Sequence, residues 1–170
     1  MTVISKALLD DHDRIKRLFA AFNRSPSTFS AMNILEELKL HSTIEEELVY
    51  PVLRETSAGL ADQAENDHAD LSDLIAEIES RDPSDPMTMK LMRQLETDLM
   101  AHIAMEEKNI FPQLKQRPGL DPLDLGREHF AMRQEMLADR DPMRSDSRGL
   151  ANTGWGGSSN NAGWGGNAGW

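Results

Sequence analysis

Two stretches of the chain repeat one pattern: His41-Ser-Thr-Ile-Glu45-Glu46-Glu47-Leu-Val-Tyr50-Pro51 and His102-Ile-Ala-Met-Glu106-Glu107-Lys-Asn-Ile-Phe111-Pro112. In each, a histidine is followed four positions later by a glutamate, then by a second glutamate, apolar residues and an aromatic-proline pair. Residues i and i+4 share one face of an α-helix. Each stretch therefore sets an imidazole beside a carboxylate, and two such pairs on facing helices form a set able to bind two transition metals bridged by carboxylates. One such pair occurs by chance on many surface helices, so the repeat is what constrains the chain.

The surrounding periodicity predicts four helices. The first, about Ile4 to Asn23, has a stripe of Ile4, Leu8, Ile15, Phe19 and Phe22, with His12 on it. After a break at Ser25-Pro26, Thr28 or Ser30 is the expected cap of a second helix reaching about Glu55. Its face carries Ile34, Leu38, Leu48 and Val52 together with His41 and Glu45, while Glu46 and Glu47 point elsewhere. Pro51 is expected to kink its last turn. A break at Ala58-Gly59 precedes a third helix, about Leu60 to Ser80, whose stripe of Ala64, Leu71, Ile75 and Ile78 includes His68. Arg81 to Pro86 ends it, and a fourth helix, about Met87 to Gln116, aligns Leu91, Leu95, Leu99 and Leu114 with His102 and Glu106.

Short links between four helices favour an all-α, up-down-up-down four-helix bundle. Counting along the helices then brings His12, His41, Glu45, His68, His102 and Glu106 to one level. Burying four imidazoles and two carboxylates is costly unless something pairs them. Cations remove that cost. Nitrogen and carboxylate oxygen without sulfur suit iron, manganese or zinc, and six ligands exceed one tetrahedral zinc. Shared between two ions, they supply two imidazoles per metal and two bridging carboxylates. Room is left for a bridging oxo or hydroxo group and an open position, which suits a small diatomic ligand or peroxide.

Beyond Pro118-Gly119, Asp121 or Asp124 is the expected cap of a short extra C-terminal helix, with Leu125, Phe130, Met132, Met136 and Leu137 as its packing stripe. The expected division is a bundle over 1–117, an accessory helical segment over 118–140 and a disordered tail over 141–170 rich in Gly, Asn and Trp. His129 reads as a partly exposed side chain and Tyr50 as core filler. Trp155, Trp164 and Trp170 offer contacts for self-association or a protein partner.

The net charge of −11 argues against nucleic acid. The absence of cysteine removes disulfides, iron–sulfur ligation and thiol catalysis. No apolar run is long enough for a membrane span and no secretory leader is legible, so the expected location is cytoplasmic.

At His12, His41-Ser-Thr-Ile-Glu45, His68 and His102-Ile-Ala-Met-Glu106 the sequence resembles the hemerythrin-like family, the HHE cation-binding domains. The likeness covers about residues 1–117. Asp11-His12 and Asp67-His68 match as its internal pseudo-repeat implies. Ser72 stands one turn after His68, where the invertebrate oxygen carriers have a further histidine, and Glu106 replaces their final aspartate. The four-histidine, two-glutamate set is thus similar to the bacterial type. The resemblance implies a non-haem di-iron protein that binds, senses or handles O2, NO or peroxide. Its alternatives are iron donation or repair of damaged iron centres, and a peroxide- or NO-consuming enzyme in which Glu46, Glu107 or Tyr50 would move protons. A plain interaction bundle without metal is the remaining reading.

Overall fold

A computed structural model of the chain describes residues 3–116 and 122–140. The expectations placed on Asp121, on Pro118-Gly119 and on the tail with its three tryptophans lie outside the described residues. The chain divides into two compact units, 1–136 and 137–170. Of the second, only the end of the last helix is described.

Helix α1 (Val3–Arg24) buries Ile4, Leu8, Ile15, Phe19 and Phe22 along the expected stripe. Helix α2 (Thr28–Ile44) is capped one residue before Thr28 and three before Ser30, the two expected caps. Ser27 caps it, and Ser27 and Ser30 exchange backbone N–H to side-chain Oγ bonds of 3.1 Å, a reciprocal capping box.

The interruption expected at Pro51 takes a particular form. A π-helical turn spans Glu45–Val49, closed by the Tyr50 N–H donating to the Glu45 carbonyl, before α3 (Tyr50–Glu79) resumes. Its counterpart, Glu106–Ile110, lies between α4 (Pro86–Met105) and α5 (Phe111–Gln116) and closes with Phe111 N–H on Glu106 carbonyl. Proline has no N–H and crowds the carbonyl of residue i−4; widening the preceding turn relieves the crowding. The widening also matters for direction. Five residues of ordinary α-helix would carry Tyr50 about 140° away from Glu45, whereas an i→i+5 turn returns it over the same face.

α3 contains the second corner of the bundle. Its backbone leaves helical geometry at Ser57 (φ −152°, ψ 66°), just ahead of the expected break, and Thr56 Oγ1 turns back to bond the Leu53 carbonyl at 3.2 Å. Gly59 is helical rather than a breaker. After Glu79, Asp85 caps α4 through its side chain to Met87 N–H at 2.8 Å, and Pro86 opens the helix.

The core consists of two apolar clusters. One holds Ile15, Phe19 and Phe22 of α1, Ile34 and Leu38 of α2, Leu71, Ile75 and Ile78 of α3, and Met92, Leu95 and Leu99 of α4. The other holds Ile4 and Leu8 of α1, Val49, Tyr50 and Leu53, Ala61 and Ala64, Ile110, Phe111 and Leu114, and Leu125 near the C-terminal end. Four helical arms, namely α1, α2 continued through its π turn to Leu53, the rest of α3, and α4 continued into α5, each cross from one cluster to the other in alternating senses, which makes an up-down-up-down four-helix bundle. Between the clusters lies a buried polar layer. No described helix is long and apolar enough to cross a membrane.

Helix α6 (Pro122–Asp139) is the extra C-terminal helix, but of its expected stripe only Leu125 is fully buried. Phe130 is 64% exposed, and Met132 and Met136 are half-buried. The buried side chains are Leu125, His129 and Arg133, one helical turn apart. α6 packs through a largely polar face because α1 and α2 offer Asp11 and Glu37 there.

Candidate metal centre

The polar layer gathers His12, His41, Glu45, His68, His102 and Glu106, all between 0% and 3% exposed. α1 contributes His12 and α3 contributes His68, each between an upper and a lower apolar residue of its stripe. α2 presents His41 in its last turn, just before the first π turn, and α4 presents His102 in the same relation to the second. Glu45 and Glu106 are the first residues of the two π turns.

Two overlapping groups of donor atoms result. His12, His41, Glu45 and Glu106 form one, and Glu45, His68, His102 and Glu106 the other, each with its ligand atoms within 4.8 Å of one another. Both carboxylates belong to both groups. Glu45 Oε2 lies 3.2 Å from His41 Nε2 and 3.5 Å from His68 Nε2. Glu106 Oε2 lies 3.3 Å from His12 Nε2 and 3.4 Å from His102 Nε2.

The hydrogen bonds run outward from the layer. His12 Nδ1 bonds Glu107 Oε1 at 3.0 Å, His68 Nδ1 bonds Glu46 Oε1 at 3.0 Å, and His102 Nδ1 bonds Asp67 Oδ2 at 3.2 Å. A carboxylate only accepts, so each Nδ1 carries the proton, and the neutral ring then turns an Nε2 lone pair inward. The inward atoms, and the outer Nδ1 of His41, are left over. His12 Nε2, both His41 nitrogens, both Glu45 oxygens and Glu106 Oε2 are buried and form no hydrogen bond. Buried polar atoms are rarely orphaned, and here all the orphans but His41 Nδ1 are nitrogen and oxygen atoms converging on two points. That donor set fits a pair of cations.

Without cations, protons take their place. Burial pulls the His12 pKa down, but Glu106 and Glu45 outweigh it and raise it to about 10. His102 is raised to about 9, with Glu106, Glu45 and Asp67 overcoming burial. His68 is raised as well, chiefly by Glu45 against burial. His41 is lowered, because burial, aided by neighbouring His12, exceeds the attraction of the carboxylates. Burial would raise Glu45 and Glu106, and the charge of Glu45 adds to the rise at Glu106, yet the histidines around them hold both below the ordinary carboxylate range. Two charged carboxylates thus face histidines able to give up their protons.

Tyr50 corrects the expectation of mere core filler. It is fully buried, and its hydroxyl donates to Glu106 Oε1 at 2.9 Å while lying 2.9 Å from His68 Nε2 and 3.4 Å from His102 Nε2. Burial and the charges of Glu45 and Glu106 drive its pKa far upward, so the phenol keeps its proton. The matching residue of the other half, Phe111, stacks on His12 with ring centroids 5.5 Å apart. His129 is corrected too. It is 4% exposed, belongs to neither donor group, and bonds Asp11 Oδ2 at 2.9 Å.

The outer carboxylates Glu46, Glu107 and Asp67 went unassigned as partners of histidine. Their signal lies in the repeat: an acid directly follows each HxxxE, and an aspartate directly precedes His12 and His68. A cleft of about 480 Å³ between α3 and α4 reaches His102 and is walled by Asp67, Asp70 and Asp98. A roomier cavity of about 530 Å³, among Phe22, Leu35, Met89 and Met92, touches none of the six residues. Chemistry rather than size selects the polar layer as the site.

Comparison with known proteins agrees with this geometry. The family described as Hemerythrin HHE cation binding domain matches residues 3–114. The crystal structure of a hemerythrin HHE cation binding domain-containing protein from Mycobacterium kansasii superposes with a TM-score of 0.65 at 23% identity, covering 87% of this chain and 91% of that one. A protein of Nostoc sp. described as a DNA nickase is 26% identical over 110 residues, 62% of this chain. The chain spans 31% of that relative's length.

Proposed function

The chain belongs to the hemerythrin HHE cation-binding family, and on that premise we propose that it is a non-haem di-iron protein that binds, senses or handles O2, NO or peroxide. The cation-binding character follows from the family and from a His/Glu cluster able to hold a metal ion. The di-iron reading rests on one observation above all: two four-ligand groups share both of their carboxylates. His12 and His41 would hold one ion and His68 and His102 the other, with Glu45 and Glu106 spanning the pair.

When bound, a pair of irons supplies reversible one-electron chemistry and open positions for a small ligand. The chain's own residues do the rest. The carboxylates of Glu107, Glu46 and Asp67 fix three imidazole rings in the orientation that presents Nε2. Leucine, isoleucine and phenylalanine layers above and below exclude water, which strengthens electrostatic interactions within the layer. Tyr50 brings a protonated hydroxyl to the His68 and His102 side, and Phe111 keeps the His12 side apolar. The cleft to His102 gives a small solute or an exchanging iron a path past Asp67, Asp70 and Asp98, which supports iron handling as a second reading. The activity in the name of the Nostoc relative is not carried over, because this acidic chain of net charge −11 offers little attraction for a phosphate backbone.

The test is metal analysis of the aerobically purified chain, with its absorption spectrum before and after dithionite and NO. About two irons per chain, with charge-transfer absorption that bleaches on reduction, is the expected result. Zinc, or no metal after iron-replete expression, contradicts the reading.

A further inference from the structure

The residues around the polar layer come in matched pairs from the two halves of the bundle: Asp11 with Asp67, His12 with His68, His41 with His102, Glu46 with Glu107. Pseudo-symmetry therefore calls for four outer bonds, and three are present. Glu46 holds His68, Glu107 holds His12, and Asp67 holds His102. The fourth would join Asp11 to His41. Instead, His41 Nδ1 is buried without a hydrogen bond. Asp11, only 2% exposed, accepts from His129 Nε2 at 2.9 Å and pairs with Arg133 Nη1 at 3.3 Å. Arg133 is itself anchored through Nη2 to Glu37 Oε1 at 2.6 Å. Both competing cationic or donor groups belong to α6, which has no counterpart in the other half.

We infer that Asp11 is a positioning carboxylate for His41 that α6 holds away through His129 and Arg133, so that the His12/His41 metal position is the weaker of two and tightens when α6 releases Asp11. This rests on the two-metal reading above. A carboxylate on the outer nitrogen of a ligating imidazole orients the ring and raises its basicity, and its loss lowers metal affinity by roughly 10–100-fold. The His68/His102 position has both such bonds and the His12/His41 position has one. α6 is thereby coupled to one metal position and not to the other.

The test titrates iron(II) anaerobically into the metal-free full-length chain against a chromophoric chelator and reads two dissociation constants. The wild-type constants should differ by roughly 10–100-fold. The double variant H129F/R133L should narrow that gap by tightening the weaker position, and adding D11N should reopen it. H129Q retains a donor for Asp11 and should behave as wild type. D11N alone should leave the weaker constant unchanged, since Asp11 does not serve His41 while α6 is docked; a tenfold weakening there overturns the inference even if the double variant does not fold. D67N is the control and should weaken the tighter position by roughly 10–100-fold. A folded H129F/R133L chain with unaltered constants, alongside a responsive D67N, overturns this inference alone. Failure of the wild type to take up two metals overturns the di-iron reading and this inference with it.

Discussion

Tyr50 and Glu106, 56 positions apart, meet at 2.9 Å across the middle of the bundle, the hydroxyl of one repeat on the carboxylate of the other. The opposite repeat has no such bond, because Phe111 stands where Tyr50 does. Two positions alike in ligand type thus differ in the groups around them.

Replacing Tyr50 by Phe removes the donor and leaves Glu106 Oε1 buried. The metal-free chain should lose about 1–3 kcal/mol of stability, the cost of an abandoned buried acceptor, read from denaturant melts. Metal content should persist, since all six candidate ligands remain. The rate of NO or azide release from the loaded protein should rise if the hydroxyl contacts the bound molecule.

Glu45 belongs to both donor groups and His41 to one. Glu45→Ala is expected to abolish binding of both ions, while His41→Ala should leave about one ion per chain, as measured by mass spectrometry on desalted protein. Equal losses in the two variants would contradict the shared-carboxylate arrangement.

The pH response has opposite signs with and without metal. In the metal-free chain the pKa values of His12 and His102 stand above the ordinary 6.5, at about 10 and about 9. Their contribution to stability is therefore complete below about pH 6.5 and is lost as pH rises through about 9 to 10. Metal must displace those protons, so affinity should increase with pH over the same window, with two or more protons released per chain near neutrality, His68 adding to the two. Calorimetry in buffers of different ionisation enthalpy counts the protons, and an affinity independent of pH would contradict this assignment.

Gly59 sits in a helix with no atom within 4 Å of where a Cβ would stand. Gly59→Ala should stabilise the chain by about 0.4–1 kcal/mol by restricting the unfolded state. Thermal melts should show a higher midpoint with unchanged metal content; a lower midpoint would mean that the corner at Ser57 needs the glycine.

Four helices and the layer shared by six polar residues were legible in the sequence for a local reason. The 3.6-residue period fixes which side chains share a face, and i,i+4 spacing fixes His41 beside Glu45 and His102 beside Glu106. Short links then leave few ways to pair the helices. Boundary details were less legible where one hydroxyl or one backbone angle decides them, as at the Ser27 cap and the Ser57 corner.

Tertiary structure decided what periodicity could not. An ideal helix turns Tyr50 away from Glu45, and only the π turn ahead of Pro51 brings its hydroxyl into the polar layer. The packing face of α6 depends on partners distant in the chain: His129 lies 118 positions from Asp11, and their bond outweighs the pull of an apolar stripe that leaves Phe130 exposed. The sequence determined the bundle and the level at which six donors collect, because those follow from residues a few positions apart. Which carboxylate serves which histidine was decided by the docking of whole helices, because burial makes each ionised group accept whatever donor the packed neighbours bring within reach.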